Sequence, residues 1–304
     1  MLRRLQIQDG RVVENDEGPV WIYVSPDETE RKFLVESLRL DEHTMISSLD
    51  ADELGRIEFE PEHAAIIFKR PRNYSSADNF LFKVASTGLF LFKDRLVIVM
   101  AEDAPLFEGK KFLRLQSLPE LLLKLVFRAI FHFEEHLKVI NAISADLEQE
   151  VNTAMENKHL LNLFTLEKSL VYYLNAINTN GKVIDKLKAS AARLGFTSED
   201  VELLDDIIIE NSQCYEQASI YSQVLSGLMD ARASIVSNNL NVLMKTLNIV
   251  MIALMLPTLV VSVFSMNVQL PVPQNGNLGP FWAIMAAGTA SVAVVGWLWL
   301  RKKV

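Results

Sequence analysis

The longest charge-free stretch constrains this chain more than any other feature. No Asp, Glu, Lys, Arg or His occurs between Thr246 and Leu300. Two apolar segments lie inside that window, at 247–264 and 281–300, and each is close to the roughly 20 residues that cross a bilayer core as a helix. The sequence therefore predicts an integral membrane hairpin of two spans, joined by a loop at 265–280.

Basic residues predict how the hairpin is oriented. Lys245 precedes the first span and Arg301, Lys302 and Lys303 follow the second, whereas the loop between the spans carries no charge. Because lysine and arginine accumulate on the cytoplasmic side, we expect both termini in the cytoplasm and the spans in the inner, or plasma, membrane.

Composition narrows the function class. All 38 acidic residues precede the first span, and the net charge is −8. An acidic soluble domain argues against binding of nucleic acid, and it is suited to concentrating cations. The sequence carries no Gly-rich phosphate loop, nucleophile elbow or cysteine metal cluster, so we do not expect an enzyme. His132 and His136 lie in HFEEH, which is not the HExxH order of a metalloprotease, and the single Cys214 is expected to be an inert thiol.

Hydrophobic periodicity predicts an α/β domain followed by long helices. Short β-branched or aromatic runs predict strands at 20–24, 64–69, 80–85, 89–92 and 96–100, with helical patterns at about 27–39 and 41–49. Two amphipathic patterns, Leu118 to Met155 and His159 to Leu194, predict an antiparallel helix pair with a turn near Asn157. One helix is then predicted from about 198 to 264, after a helix stop at Gly195.

The predicted domain order follows from these patterns. It comprises a cytosolic α/β domain at 1–117, an antiparallel long-helix pair at 118–196, a cytosolic stalk at 197–246, spans at 247–264 and 281–300 around the extracytoplasmic loop 265–280, and a basic cytosolic tail at 301–304.

A polar seam runs along the helix that contains the first span. Steps of four and three residues connect its members, a repeat averaging 3.5 that keeps one face turned toward neighbouring helices. They are Asp230, Ser234, Ser237, Asn241, Met244, Asn248, Met251, Met255, Thr258, Ser262 and Ser265. A polar face within apolar surroundings is costly in hydrocarbon unless it lines water or protein. The simplest structure that satisfies it is a ring of identical helices around a wet axis.

The seam predicts both a conducting lining and a gate. Neutral oxygens of Asn241, Asn248, Thr258 and Ser262 can accept hydrogen bonds from a cation's water shell, which suits magnesium because it sheds water reluctantly. Hydrogen bonding between helices of a non-conducting bundle is the alternative. Apolar rings close pores by dewetting, and the predicted gate residues are Met244, Leu247, Met251 and Met255.

These segments resemble a known family. SNNLN at 237–241, MK at 244–245, LPT at 256–258 and FSMN at 264–267 are similar to the signature of the CorA family of divalent-cation channels, whose last motif reads YGMN. The resemblance implies a CorA-like fold and a homo-oligomer, expected to be a pentamer, that transports Mg²⁺ across the lipid bilayer. It also implies a selectivity loop that includes Ser265, Met266 and Asn267.

The resemblance implies further cation-facing carboxylates. Asp230 matches a family position that faces the cytosolic funnel, and Asp206 matches a regulatory aspartate between subunits. Glu210 lies one turn from Asp206 on the same helix face, where like charges are mildly unfavourable unless a cation bridges them. A bound ion would then hold the gate shut, and its loss would let the subunits splay.

Departures from the family pattern leave alternatives open. The family places glycine where this chain has Ser265, and a serine forced to positive φ would cost about 1–2 kcal/mol. The loop 265–280 carries no acidic residue. A transporter of Zn²⁺, Ni²⁺ or Co²⁺ of the ZntB type is therefore the second reading. The third is a membrane sensor or scaffold that kept the fold and lost conduction.

Overall fold

The computed structural model describes residues 2–75, 78–107, 112, 114–153, 157–266 and 278–301. The chain divides into two units, Met1–Met229 and Asp230–Val304. The first contains a seven-stranded sheet with helices on both faces, and the second contains the two apolar segments. The α/β domain, the long helix and the C-terminal apolar helix that the sequence predicts are all present.

The sheet is mixed and has the order β2-β1-β3-β7-β6-β5-β4. Among the described strands β3 and β7 pair in parallel, and the other pairs are antiparallel. The strands are β1 (Leu2–Gln8), β2 (Arg11–Glu14), β3 (Val20–Val24), β4 (Arg56–Phe59), β5 (His63–Pro71), β6 (Val84–Phe92) and β7 (Leu96–Met100).

Three short elements cover one face of the sheet. They are α1 (Glu28–Lys32), a wider π-helical turn (Phe33–Ser37) and α2 (Glu42–Ser47). Asp27 caps α1 by accepting a hydrogen bond from Glu30 N–H while the Glu30 carboxylate accepts from Asp27 N–H, a capping box that satisfies two free helix donors. The core beneath them contains Leu34, Met45, Phe90, Val97 and Val99.

Long helices cover the opposite face. They are α3 (Leu118–Thr153) and α4 (Asn157–Ala189), followed by the single turn α5 (Ala191–Leu194). The core here includes Ile98, Met100, Leu122, Phe133 and Tyr173. Alternate residues of β7 therefore serve the two cores, because successive side chains of a strand point to opposite faces.

Several sequence predictions need correction in this unit. The predicted strands 80–85 and 89–92 are one strand, β6, that begins at Val84. Gly88 lies within this strand, paired with Ile67 of β5, and a Cβ there would lie 2.1 Å from the Ser48 hydroxyl. Asn79 and Phe80 have positive φ angles of 47° and 66°, so the chain before Val84 is not extended.

The helix pair is also slightly shorter than predicted. Ser190, with φ −107° and ψ 14°, separates α4 from α5, so the second long helix ends at Ala189 rather than Leu194. Gly195 ends α5 with φ 72°, as the sequence predicts. The predicted end of the first helix at Met155 lies outside the described residues.

Two further helices contain the apolar segments, and the first of them begins in the first unit and continues into the second. α6 runs without interruption over Ser198–Phe264, 67 residues, and α7 over Gly279–Arg301. Thr197 begins α6 by accepting the Asp200 N–H at 3.2 Å, while Asp200 accepts the Thr197 N–H at 2.8 Å. Both helices contain windows long and apolar enough to cross a membrane by length and composition. Because α7 already begins at Gly279, the predicted loop 265–280 is shorter at its C-terminal end.

Candidate functional site

The seam residues of α6 lie on an open helix surface within the single chain. Every seam position from Asp230 to Ser265 is exposed. The half-buried positions of the apolar part form a different stripe, at Ile249, Ala253, Leu256, Pro257 and Val260. Residues 253 and 255 are two positions apart, which places them about 160° apart around an α-helix. The covered stripe and the seam therefore lie on nearly opposite faces.

α7 covers the stripe opposite the seam. A Cβ added at Gly288 would lie 3.8 Å from the Pro257 Cβ, so the two helices approach closely at this point. On α7 the less exposed positions Ile284, Gly288, Ser291 and Val295 recur at helical spacing. The Ser291 hydroxyl donates to the Gly288 carbonyl at 2.6 Å, which satisfies its polar group within the helix. The small residues thus serve helix packing, as in other membrane helix pairs.

The polar seam side chains present acceptor oxygens outward. The Thr258 hydroxyl donates to the Leu254 carbonyl at 2.8 Å, so the remaining capacity of its oxygen is to accept. Asn241 and Asn248 are exposed, and among the described residues their side-chain amides make no hydrogen bond. Ser262 is exposed as well. The seam therefore offers neutral oxygens that the single chain leaves available to water or a hydrated ion.

The predicted gate residues share this surface. Met244, Leu247, Met251 and Met255 are 61%, 52%, 52% and 68% exposed. Large apolar side chains exposed in one row of a helix usually mark a surface that another chain or lipid covers.

The predicted selectivity loop is described in part. Ser265 N–H and its hydroxyl donate to backbone carbonyls of the preceding turn, the hydroxyl to Ser262 O at 2.9 Å. Ser265 is not among the described residues with positive φ. The expectation that Ser265 adopts a positive φ, with the strain this would cause, is therefore wrong. Ser265 instead closes the last turn of α6. Met266 is exposed, and Asn267 lies outside the described residues.

Asp206 and Glu210 lie in the first third of α6. Asp206 is exposed and Glu210 is half-buried, and neither forms an ion pair within the part of the chain that is described. The neighbouring Asp205 pairs with Lys188 of α4. No group of three or more His, Cys, Asp or Glu side chains able to hold a metal occurs among the described residues. Two carboxylates alone do not complete a divalent site, so a resident ion here would need ligands from outside this chain or from water.

His136 of α3 and the single cysteine are buried, and His132 is half-buried. His136 Nδ1 lies 2.6 Å from the Tyr173 hydroxyl, and the His132 and His136 rings are 4.4 Å apart. Burial lowers the pKa of both His132 and His136 from 6.5 to about 4. Burial also raises the pKa of Cys214 to about 12, which makes this thiol a poor nucleophile, as the sequence predicts.

Comparison with known proteins places the chain in a family. The family described as CorA-like Mg²⁺ transporter protein matches residues 16–302. The chain therefore belongs to the CorA-like transporter family. It is 23% identical over 322 aligned residues to the cobalt/magnesium transport protein CorA of Methanocaldococcus jannaschii, covering 97% of this chain and 96% of the relative. This CorA family is one of ion transporters, which supports the prediction that the chain is not an enzyme.

Solved structures of CorA-family proteins share the fold. The complete CorA magnesium transporter of M. jannaschii matches with a TM-score of 0.82 at 19% identity, covering 99% of this chain and 96% of that chain. The ZntB cytoplasmic domain from Vibrio parahaemolyticus matches with a TM-score of 0.60 at 13% identity, covering 78% of this chain and 98% of that domain. The predicted CorA-like fold is confirmed.

The structure also brings together residues that nothing in the sequence connects. Arg70 of β5 is 7% exposed and lines a cavity together with Arg128 and His132 of α3. A buried arginine within an apolar strand is the one available sequence signal, since charged residues are rarely buried without a partner. The spacing between residues 70, 128 and 132 gives no indication that they meet.

Proposed function

We propose that this chain is one subunit of a homo-oligomeric channel that conducts hydrated divalent cations, magnesium first. The observation that carries the proposal is the position of the seam on α6, nearly opposite the stripe that α7 covers. A polar face turned away from its only helical neighbour in the described hairpin needs another partner inside a membrane. Identical seams meeting around an axis satisfy one another and enclose water.

The lining would act on the ion's water shell. Asn241, Asn248, Thr258 and Ser262 offer neutral oxygens, which accept hydrogen bonds from coordinated water without binding the ion too tightly for release. Magnesium holds its inner water strongly, so a lining that leaves the shell intact suits it. A ring of Asp230 carboxylates below this lining would raise the local cation concentration.

Closure would come from the apolar members of the same face. Met244, Leu247, Met251 and Met255 would form successive rings, and a narrow apolar ring excludes water and therefore ions. Ser265, Met266 and Asn267 would form the outer entrance, where the Asn267 amide oxygen is available to a hydrated ion.

Regulation would depend on contacts between subunits. Asp206 has no ion pair within the described chain, and Glu210 is one turn away. A cation bridging these carboxylates to a neighbouring subunit would favour the closed arrangement, and ion depletion would favour the open one.

We further propose a pentamer in the inner membrane with both termini in the cytoplasm, on the basis of the family and of Lys245 and Arg301 at the two cytoplasmic ends.

A second candidate is transport of Zn²⁺, Ni²⁺ or Co²⁺. It is favoured by the absence of acidic residues in 265–280 and by the cobalt named for the M. jannaschii relative. A non-conducting sensor with the same fold is the third.

One experiment separates these functions. Purified full-length protein is reconstituted in proteoliposomes, and uptake of Mg²⁺, Zn²⁺, Ni²⁺ and Co²⁺ is followed with ion-sensitive dyes under equal gradients, with protein-free liposomes as the control. We expect the highest rate for Mg²⁺. A higher rate for another ion supports the second candidate, and no uptake by an intact oligomer overturns conduction altogether.

A further inference from the structure

A cavity in the first unit has the chemistry of an anion site. It lies between the sheet and α3 and has a volume of about 80 Å³. Its polar lining comes from Arg70, Asn73, Thr87, Arg128 and His132, and none of the described lining residues is acidic. The rest of the wall is apolar, including Leu89, Leu125 and Ala129. None of the described lining residues belongs to α6.

Arg70 is the centre of this cavity. Its guanidinium donates to three neutral oxygens: Nε to Thr87 Oγ1 at 3.2 Å, Nη1 to Pro71 O at 3.3 Å, and Nη2 to Glu102 O at 3.0 Å. A guanidinium has five N–H donors, so one remains on each terminal nitrogen. Each of these two N–H groups can donate a charge-assisted hydrogen bond to a carboxylate oxygen.

Arg70 forms no direct ion pair with a carboxylate among the described residues. Glu102 and Asp103 favour its charge only from a distance. Their carboxylates pair with Arg72 and Arg3, and Glu102 gives Arg70 a peptide oxygen. Burial lowers the pKa of Arg70, which shows that its surroundings disfavour the cation. A buried charge without a counter-ion is costly, and an anion in the cavity would relieve that cost.

Arg128 and His132 also belong to the polar wall. Arg128 uses Nη1 to pair with Glu135 at 2.9 Å, which leaves its other nitrogens available among the described contacts. His132 is neutral at physiological pH because burial lowers its pKa to about 4. It therefore has one N–H to donate, and it does not repel the guanidinium groups of Arg70 and Arg128.

We propose that this cavity binds a small organic carboxylate, with the carboxylate at Arg70 and Arg128 and a short apolar tail against Leu89, Leu125 and Ala129. The volume limits the ligand to a few heavy atoms beyond the carboxylate, since a cavity of about 150 Å³ takes one benzene molecule. The apolar wall favours a carboxylate with a tail over inorganic phosphate, which needs polar contacts on every side. The cavity walls join β5, β6 and α3, so a bound ligand stabilises the first unit.

The test measures binding of acetate, propionate and butyrate to the full-length protein in detergent by calorimetry and thermal unfolding, with inorganic phosphate and chloride at equal ionic strength. We expect saturable binding that is tightest for butyrate. Arg128→Gln should weaken it about tenfold or more, since a charged group's hydrogen bond is lost. Ala129→Leu, which fills the cavity, should abolish it.

Arg39→Gln is the matched control. It removes the same charge from an exposed arginine that pairs with Glu62 and should leave affinity unchanged. Absence of saturable carboxylate binding, stronger binding of phosphate, or equal loss in Arg39→Gln and Arg128→Gln would overturn the proposal. If Ala129→Leu fails to fold, Arg128→Gln alone decides.

Discussion

Gly288 lies against Pro257, so that a Cβ at Gly288 would meet the Pro257 Cβ at 3.8 Å. That distance is ordinary van der Waals contact, and Gly288→Ala should be tolerated. Gly288→Leu should destabilise the hairpin by about 1–3 kcal/mol, the usual cost of overpacking. Thermal unfolding in detergent measures both. Gly296→Leu is the control, because nothing lies within 4 Å of a Cβ at Gly296. Equal destabilisation by the two leucines would show that the contact at Pro257 is not the cause.

Asn241 and Asn239 provide a matched pair for the pore proposal. Both are exposed asparagines of α6, but they are two positions apart and therefore face nearly opposite directions. Asn241→Leu should reduce Mg²⁺ uptake into proteoliposomes at least tenfold, because it replaces a water-binding ring with an apolar one. Asn239→Leu should keep the rate within twofold. Equal loss in both variants would argue against the seam as the lining.

Variants of Asp206 and Asp205 distinguish a role in regulation from a role in fold stability. Asp206→Asn should remove the protection against proteolysis that Mg²⁺ gives the oligomer, because a bridging carboxylate is lost. Asp205→Asn removes the exposed pair with Lys188, which is expected to contribute less than about 1 kcal/mol, and should retain the protection. Limited proteolysis with and without Mg²⁺ measures both. Protection that survives in Asp206→Asn contradicts the proposed bridge.

His136 predicts a pH dependence of stability. Burial lowers its pKa from 6.5 to about 4 in the folded chain, so between these values the unfolded state binds the proton and the folded state does not. Stability should therefore be highest above pH 6.5 and fall as the pH decreases toward 4. His136→Gln should make the decrease of the unfolding midpoint with pH shallower. An unchanged slope in His136→Gln would contradict the burial effect.

Cys214 should be unreactive in the folded protein. It is fully buried, and its pKa is raised to about 12 by that burial, so both access and the thiolate fraction are low. Maleimide labelling followed by mass spectrometry should find it unmodified under native conditions and modified quantitatively in denaturant. Because it is the only cysteine, a rapid label on the native protein would directly contradict its burial.

Local signals account for the features that the sequence analysis found. The helix from 198 to 264 followed from an uninterrupted pattern with a stop at Gly195 and acidic residues in its first turn, and these signals act within a few residues. One hairpin was missed although its signal was present. Asp9 and Gly10, with φ 52° and 74°, join β1 to β2 in the left-handed turn that an Asp-Gly pair favours. The charged residues of β1 obscured its alternation.

Long-range contacts account for what was not found. The side-chain amide of Asn180 accepts from Lys69 N–H at 2.9 Å and donates to Lys69 O at 2.8 Å. A side chain of α4, 111 residues away, therefore satisfies the backbone of β5 beyond the last residue that pairs with β4. The sequence contains no local trace of that pairing, because hydrogen bonds between distant segments depend on how the layers pack.

The sequence by itself determined the membrane spans, the α6 seam and the family, because charge, apolar length and periodicity act along one stretch of chain. Only the tertiary structure decided that α7 covers the face opposite the seam, that Ser265 closes a helical turn without strain, and that Arg70 meets Arg128 and His132 around one cavity. Those outcomes depend on which surfaces exclude water together, and burial is a property of the packed chain rather than of any segment.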